Sequence, residues 1–330
     1  MSAWLPEIFA ALMGVAMLAY VILDGFDLGV GILLPGADAG QKDTMIASIG
    51  PFWDANETWL VLGVGILLIA FPVAHGVILG ALYLPVTLML IALILRGVAF
   101  DFRVKARARH KQAWDRAFFA GSALAALAQG FMLGAYIVGF EWSVANFAFA
   151  SFIGVCLLAG YSLLGASWLL LKTEGALQSM AARWARTSLW LTGAGIAAVS
   201  IATPLVSQRI MDKWFALPGL LWLLPIPLAS LVLFVGAEWS LRRALAGTLA
   251  NAARPFQCAV GLFATAFAGL AYSLFPYLVV DRITIHEAAA APGSLWIILF
   301  GVAITLPVIV GYSAYTYRVF RGKARPLRYD

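Results

Sequence analysis

Charged residues are scarce in this chain of 330 residues: Asp, Glu, Lys and Arg together make up 12%, whereas hydrophobic residues make up 63%. Soluble domains carry roughly 25% charged and about 45–50% apolar residues. The composition therefore excludes a soluble globular enzyme, a nucleic-acid-binding module and a disordered chain. At about 20–24 residues per spanning helix, the apolar residues suffice for roughly nine spans. The sequence predicts a polytopic membrane protein.

Cysteine and histidine are also rare. Cys156 and Cys258 each lie inside an apolar run, so the sequence offers neither a disulfide framework nor a CxxC metal motif. His75, His110 and His286 fall in predicted turns or loops, and none is placed mid-membrane beside a methionine partner. P-loop and HExxH motifs are absent. We expect no haem ligand, metal ligand or catalytic group in this chain, so any redox chemistry belongs to a partner.

The apolar runs are continuous rather than alternating, which favours helices over a β-barrel. Nine spanning helices are predicted, at about 8–34, 51–72, 76–99, 117–140, 146–171, 187–207, 217–236, 256–279 and 294–317. No charged segment or cleavage motif marks the first as a signal peptide, so it is expected to be retained. Because the sequence shows no internal repeat and no soluble insert, a single integral-membrane domain over residues 1–330 is predicted.

Lysine and arginine are distributed unevenly between the predicted loops. With the amino terminus outside, the inner segments hold 18 of the 22 Lys and Arg residues and the outer segments hold three. Cytoplasmic loops of membrane proteins carry such an excess. The distribution predicts a periplasmic amino terminus and a cytoplasmic carboxyl terminus.

Three predicted helices carry ionisable residues where each costs at least ~2.5–3.5 kcal/mol at the membrane centre. In the predicted topology, all of them lie in the cytoplasmic half of the membrane. They are Asp24 and Asp27 on the first helix, Asp54 and Glu57 on the second, and Arg96 and Asp101 on the third. Carboxylates gathered around one arginine at one depth are typical of a hydrated pocket or a proton entry.

Other interpretations of these residues stay open. Helix ends tolerate charge, so Asp54, Glu57 or Asp101, taken singly, has a structural alternative. Asp24 and Asp27 favour a function, because burying them is costly. As a whole, the cluster is also compatible with a proton-coupled secondary transporter, although no pair of broken helices indicates the repeats that such transporters often show. A scaffold whose polar residues only pack against a partner is the third alternative.

Three segments carry a family resemblance: DGFDLGVG (24–31), GPFWDANETWL (50–60) and LRGVAFDFR (95–103). They resemble the signature stretches of subunit II of cytochrome bd-type terminal quinol oxidases. The resemblance is specific over residues 15–105, and the WDANETW motif is most similar to that of the cyanide-insensitive branch of the family. The resemblance implies nine helices arranged as two four-helix bundles plus one peripheral helix, in the bacterial inner membrane.

The resemblance also implies a set of partners. A separate subunit I would carry the haems, b and d or b only, and the complex would reduce O2 to water with electrons from quinol, without pumping protons. This chain would be a haem-free subunit that stabilises subunit I and contributes a proton-uptake path from the cytoplasm. A small single-helix accessory subunit and membrane lipid are further expected neighbours, and no nucleic-acid partner is expected.

Carried over by motif, the expected proton-path residues are Asp24, Asp54 and Asp101, with Asp27 and Glu57 in support. In some relatives a structural quinone lies near the Trp and Arg of these motifs, which are Trp53 and Arg96 in this chain. Glu57 and Thr58 stand where some relatives have an uncharged pair, so the additional carboxylate would either alter the route or bind a counter-cation.

Overall fold

The computed structural model describes residues 4–248 and 250–324, and most of them are helical. The helices, in chain order, are α1 (Leu5–Leu33), α2 (Ala39–Ile49), α3 (Trp53–Ala70), α4 (Pro72–Ala81), α5 (Tyr83–Lys105), α6 (Ala108–Ile137), α7 (Val144–Lys172), α8 (Gly175–Val206), α9 (Gln208–Phe215), α10 (Gly219–Leu223), α11 (Pro225–Leu245), α12 (Arg254–Leu274), α13 (Ile285–Ala288) and α14 (Pro292–Val319). A 3₁₀ turn follows α1 at Leu34–Gly36. Strands β1 (Tyr277–Val279) and β2 (Ile283–Thr284) form an antiparallel hairpin between α12 and α13.

Nine helical segments within the described residues are long and apolar enough to cross a membrane, which confirms the predicted number of spans. They are α1, α3, α5, α6, α7, α8, α12, α14 and the continuous run of α10 and α11. The short helix α2 was not predicted. It begins with a capping box, in which Asp38 accepts a hydrogen bond from the Gln41 backbone and the Gln41 side chain accepts one from the Asp38 backbone.

The helix boundaries differ from the prediction at several points. The third predicted span, 76–99, is divided between α4 and α5, because the chain turns at Leu82. α6, α8 and α11 extend into the segments 100–116, 172–186 and 237–255, which were predicted to be loops. Hydropathy detects only the apolar part of a helix, whereas backbone hydrogen bonding continues through polar helix-forming residues. The β hairpin was also missed, because its strands are only three and two residues long.

The spanning helices form two groups of four, as predicted. α1, α3, α5 and α6 make the first bundle, and α7, α8, α11 and α12 make the second. α14 is peripheral and lies along α3 and α1. The bundles join where α1 packs on α7: a Cβ on Gly29 would lie 1.8 Å from the Tyr161 carbonyl oxygen. Only glycine allows two helices to approach so closely.

The two ends of the molecule differ in charge and in contacts. We call the end at Leu33, Trp53 and Lys105 the basic end. Most lysines and arginines lie there, including those of the amino-terminal turns of α6 and the carboxyl-terminal turns of α5 and α11. At the opposite end the hairpin packs against the bundle, where the Tyr136 hydroxyl donates a hydrogen bond to the Leu278 carbonyl (2.6 Å).

Candidate functional site

A cluster of charged side chains lies inside the first bundle, near the basic end. Asp24 and Asp27, on the second half of α1, are fully buried. α3 runs antiparallel to α1, so its first two turns place Glu57 at the same depth. α5 brings Arg96 to this level, and that residue is only 1% exposed. The sequence separates these four residues by as many as 72 positions, and the bundle brings them into one site.

Arg96 is the centre of the cluster. Its Nη1 lies 2.7 Å from Oδ1 of Asp24, and its Nη2 forms an ion pair with Glu57. A buried guanidinium is tolerated only when it is paired with opposite charge, and two carboxylates provide this. Oδ2 of Asp24 and Nε of Arg96 are buried and have no hydrogen-bond partner among the described residues. Buried polar atoms normally have hydrogen-bond partners, so these two atoms are candidates for binding water, and Oδ2 of Asp24 also for binding a proton.

Asp27 belongs to a second set of hydrogen bonds. Its Oδ2 accepts a hydrogen bond from Nδ2 of Asn56 (2.8 Å), which also donates to the Leu23 carbonyl (3.2 Å). On its other side, the Asn56 amide accepts a hydrogen bond from the Tyr317 hydroxyl (3.0 Å). Oδ1 of Asp27 is buried and has no partner among the residues that the structure describes. The peripheral helix α14 therefore reaches the buried carboxylates through a single amide.

A third polar chain joins the two bundles. The Tyr161 hydroxyl donates to Oε1 of Gln129 (2.5 Å), and Nε2 of Gln129 donates to the Tyr20 hydroxyl (2.8 Å). Tyr20 lies one helical turn before Asp24 on the same face of α1. This series of hydrogen bonds extends the polar site from the buried cluster to α6 and α7. Sequence reasoning did not assign Gln129 a role, although an amide inside an apolar span is itself a signal.

The remaining predicted site residues lie outside the buried cluster. Asp54 and Asp101 are exposed on the surfaces of α3 and α5. Trp53 is half-buried, and its ring packs on Phe100 (centroids 5.2 Å apart) and beside Gly97. α3 and α5 meet through these side chains rather than through close backbone packing. The structure thus separates a buried group of charges from a surface pair of carboxylates.

Glu57 connects these two groups. Its side chain is 30% exposed, and it lies three residues after Asp54 on α3. One oxygen of Glu57 pairs with the buried Arg96, while the exposed part of the side chain lies on the surface that carries Asp54. Glu57 is therefore the link between the surface and the buried cluster.

A network of ion pairs fixes the helices at the basic end. Arg103 on α5 pairs with Asp43 on α2 (2.7 Å) and with Asp115 on α6, and Lys42 lies 3.5 Å from Asp115. Partial burial alone would raise the pKa of Asp43. The hydrogen bond and charge of Arg103, with a smaller effect of Lys111, outweigh burial and hold the pKa of Asp43 below its usual value.

The described residues contain no group of three His, Cys, Asp or Glu side chains placed to hold a metal ion. Residues 5–320 match a family model described as cytochrome bd terminal oxidase subunit II. This chain belongs to that family. It is thus a subunit of an oxidoreductase complex, the cytochrome bd terminal oxidase, and subunit I of that complex is its partner.

Relatives of known name agree with this assignment along almost the whole chain. Cytochrome bd ubiquinol oxidase subunit 2 of Bacillus subtilis (strain 168) is 28% identical over 341 residues, which cover 97% of this chain and 96% of the relative. Cytochrome bd-I ubiquinol oxidase subunit 2 of Escherichia coli (strain K12) is 25% identical and covers 93% of this chain. The latter match covers 91% of the relative.

A solved structure shows the same fold. The bd oxidase from Geobacillus thermodenitrificans contains a chain that matches 97% of this subunit II with a TM-score of 0.76. The match covers 99% of that chain, at 18% sequence identity. The predicted architecture of nine spanning helices is confirmed by this likeness, and the chain is a multi-pass membrane protein.

Proposed function

We propose that this chain is the haem-free subunit of a bd-type quinol oxidase and that it delivers protons from the cytoplasm towards the oxygen-reducing site of subunit I. The observation that carries the proposal is the buried Asp24–Arg96–Glu57 cluster, with Asp27 beside it. Ionised groups inside a membrane protein are costly, and they mark ion or proton pathways more often than packing sites. The unpartnered oxygens of Asp24 and Asp27 are suited to accept hydrogen bonds from water or hydronium.

The proposed route enters at the basic end. The excess of Lys and Arg there supports a cytoplasmic position for this end, in the inner membrane of a bacterium. Asp101 and Asp54 are exposed and form the entrance, and Glu57 joins them to the interior. Arg96 holds Glu57 and Asp24 together, so a proton that reaches Glu57 is close to the next acceptor. Asp27 then offers a free oxygen within the same buried site.

The surface of α3 and α5 is the proposed contact with subunit I. Asp54, Val61 and Leu68 recur every seven residues on the exposed face of α3, and Ile94 and Asp101 do so on α5. Residues spaced by seven share one face of a helix. A carboxylate on a face that contacted lipid tails would be costly, so a protein partner is the more favourable cover. Covering this face is also the means by which the chain would stabilise subunit I. Lipid and a single-helix accessory subunit would occupy the other exposed faces.

The haems are assigned to subunit I in this proposal. His75, His110 and His286 lie on α4, α6 and α13, and none of them is buried. These residues do not fit an intramembrane haem. A structural quinone near Trp53 and Arg96 stays a prediction of the resemblance; the terminal nitrogens of the buried Arg96 face Asp24 and Glu57. No step of the proposed route passes through a quinone in this chain.

The test uses the purified two-subunit complex. Asp54→Asn and Asp24→Asn are each expected to slow steady-state quinol oxidation while the reduced-minus-oxidised haem spectrum stays intact. Asp38→Asn is the matched control: Asp38 is exposed at the basic end, and Asn caps a helix as well as Asp does. Normal turnover in a well-assembled variant would remove that residue from the path. Loss of assembly with both site variants would support the scaffold alternative. Proton-coupled transport would instead appear as solute uptake without haem.

A further inference from the structure

The orientation of the Asn56 amide is determined by its neighbours. Nδ2 lies 3.2 Å from the Leu23 carbonyl oxygen, which can only accept a hydrogen bond, so the NH2 group must face that side. The same NH2 group donates to Oδ2 of Asp27. The carbonyl oxygen of the amide therefore faces the Tyr317 hydroxyl, which must be the donor across the 3.0 Å separation.

Tyr317 reaches this position from the peripheral helix. Its ring stacks on Phe52 (centroids 4.6 Å apart, planes at 23°) and meets the edge of Trp168. Tyr315, two residues earlier on α14, is 67% exposed and faces away from the bundle. The ring of Tyr317 is thus held by packing, and its hydroxyl makes a separate, specific contact with Asn56.

We propose that Tyr317 is a positioning residue that holds the NH2 group of Asn56 towards Asp27 and so controls proton uptake at Asp27. Without this hydroxyl, the Asn56 amide loses the donor that fixes its carbonyl oxygen. The NH2 contacts with Leu23 and Asp27 remain, so the amide keeps its preferred orientation but turns more readily. In the turned orientation its oxygen faces Asp27, where it repels a carboxylate and accepts a hydrogen bond from a protonated carboxyl. The inference rests on the proposed proton path, which it extends to the ninth spanning helix.

Several ionisable groups face Asp27 and have to be kept constant in any pH experiment. They are Asp24 on its own helix, Glu57 on α3, Arg96 on α5 and Tyr317 on α14. Tyr317→Phe changes none of the three charged groups, Asp24, Glu57 and Arg96, and keeps the aromatic ring. This substitution therefore isolates the hydroxyl.

The experiment compares Tyr317→Phe with Tyr315→Phe in the purified complex. Tyr317→Phe is expected to lower quinol oxidase turnover by roughly two- to tenfold, the effect of one net hydrogen bond. It should also move the pH at which turnover is half-maximal, while the haem spectrum and assembly stay unchanged. Tyr315→Phe should match the parent complex. In an Asp27→Asn background, Tyr317→Phe should have no additional effect, because the two residues act through one amide.

A second measurement does not depend on turnover. Infrared difference spectra of the complex report the carboxyl stretch of Asp27, assigned as the band that Asp27→Asn removes. Tyr317→Phe is expected to shift or reweight that band. An unchanged band and pH profile would overturn the inference. Normal turnover of Asp27→Asn together with a shifted band would instead refute the proton path at Asp27 and leave the positioning role intact.

Discussion

Removing Arg96 is the most direct way to test whether the buried cluster is a coupled unit. Arg96→Met leaves Asp24 fully buried without its ion-pair partner, whereas Glu57 retains access to the surface. Breaking a buried ion pair from one side costs about 3–5 kcal/mol, because one charge remains uncompensated. We expect a complex that assembles poorly and loses its haem absorbance at a lower temperature. The assay is thermal melting of the purified complex, followed through the haem spectrum.

Removing both charges separates stability from function. In Arg96→Met with Asp24→Leu, the charge of Asp24 is removed together with that of Arg96, and replacement of a buried ion pair by apolar residues of similar volume is often neutral or stabilising. The double variant should therefore recover most of the melting temperature and still oxidise quinol slowly. Arg242→Gln is the control, because the Arg242 side chain is 64% exposed and Glu238 keeps its second ion pair with Arg186. Equal destabilisation by the single and double variants would refute the reasoning.

Three further predictions concern other parts of the structure. Lys172→Met removes a cation that donates to the Phe320 carbonyl (2.6 Å), so trypsin should cleave the carboxyl-terminal segment faster. Gly29→Ala should reduce assembly of the complex, because its Cβ would lie 1.8 Å from a backbone oxygen of α7. Asp43→Asn should lower the melting temperature near pH 7 and have little effect once the pH falls below the depressed pKa of Asp43. The depressed pKa of Asp43 stabilises the fold above about pH 4, and this contribution disappears as the pH falls further.

Lys172→Met and Gly29→Ala each have a matched control variant, and for Asp43→Asn the control is the same measurement at the lower pH. Gly301→Ala on α14 places its Cβ in open space and should leave assembly unchanged. Lys105→Met, on an exposed lysine at the same end, should not change the rate of cleavage at the carboxyl terminus. If a variant and its control did not differ in trypsin cleavage, in assembly or in the pH dependence of melting, the result would contradict the contact that the variant changes.

The number of spanning helices could be predicted from composition because each span requires a long apolar run. The ends of α6 and α8 could not, since these helices extend through polar residues that hydropathy excludes. Asp24 and Asp27 were identifiable from the cost of charge in an apolar helix. The contacts of Tyr317 and Gln129 were not predicted, because only the folded bundle brings Tyr317 within hydrogen-bonding distance of Asn56 and Gln129 within that of Tyr20.

Asp54 and Asp101 are exposed on the surface of α3 and α5, and within the described residues no other part of this chain shields them from lipid. We expect a protein partner to shield them. Ile94, on the face of α5 that carries Asp101, is 66% exposed, and Val232 on α11 is 71% exposed. Both side chains are apolar and lie within spans, so this chain alone would leave them equally accessible. With subunit I on the α3 and α5 surface, only position 232 should face lipid.

Cysteine labelling in native membranes distinguishes these positions. Ile94→Cys should react slowly with a membrane-soluble maleimide and Val232→Cys quickly, in a background where Cys156 and Cys258 are replaced by Ser. Slow labelling at position 94 together with an intact haem spectrum would show that the covered face is the one that carries Asp101. Fast labelling at both positions would place that face in lipid. The proposed entrance for protons would then have to lie elsewhere, because a carboxylate facing lipid has no route to the partner subunit.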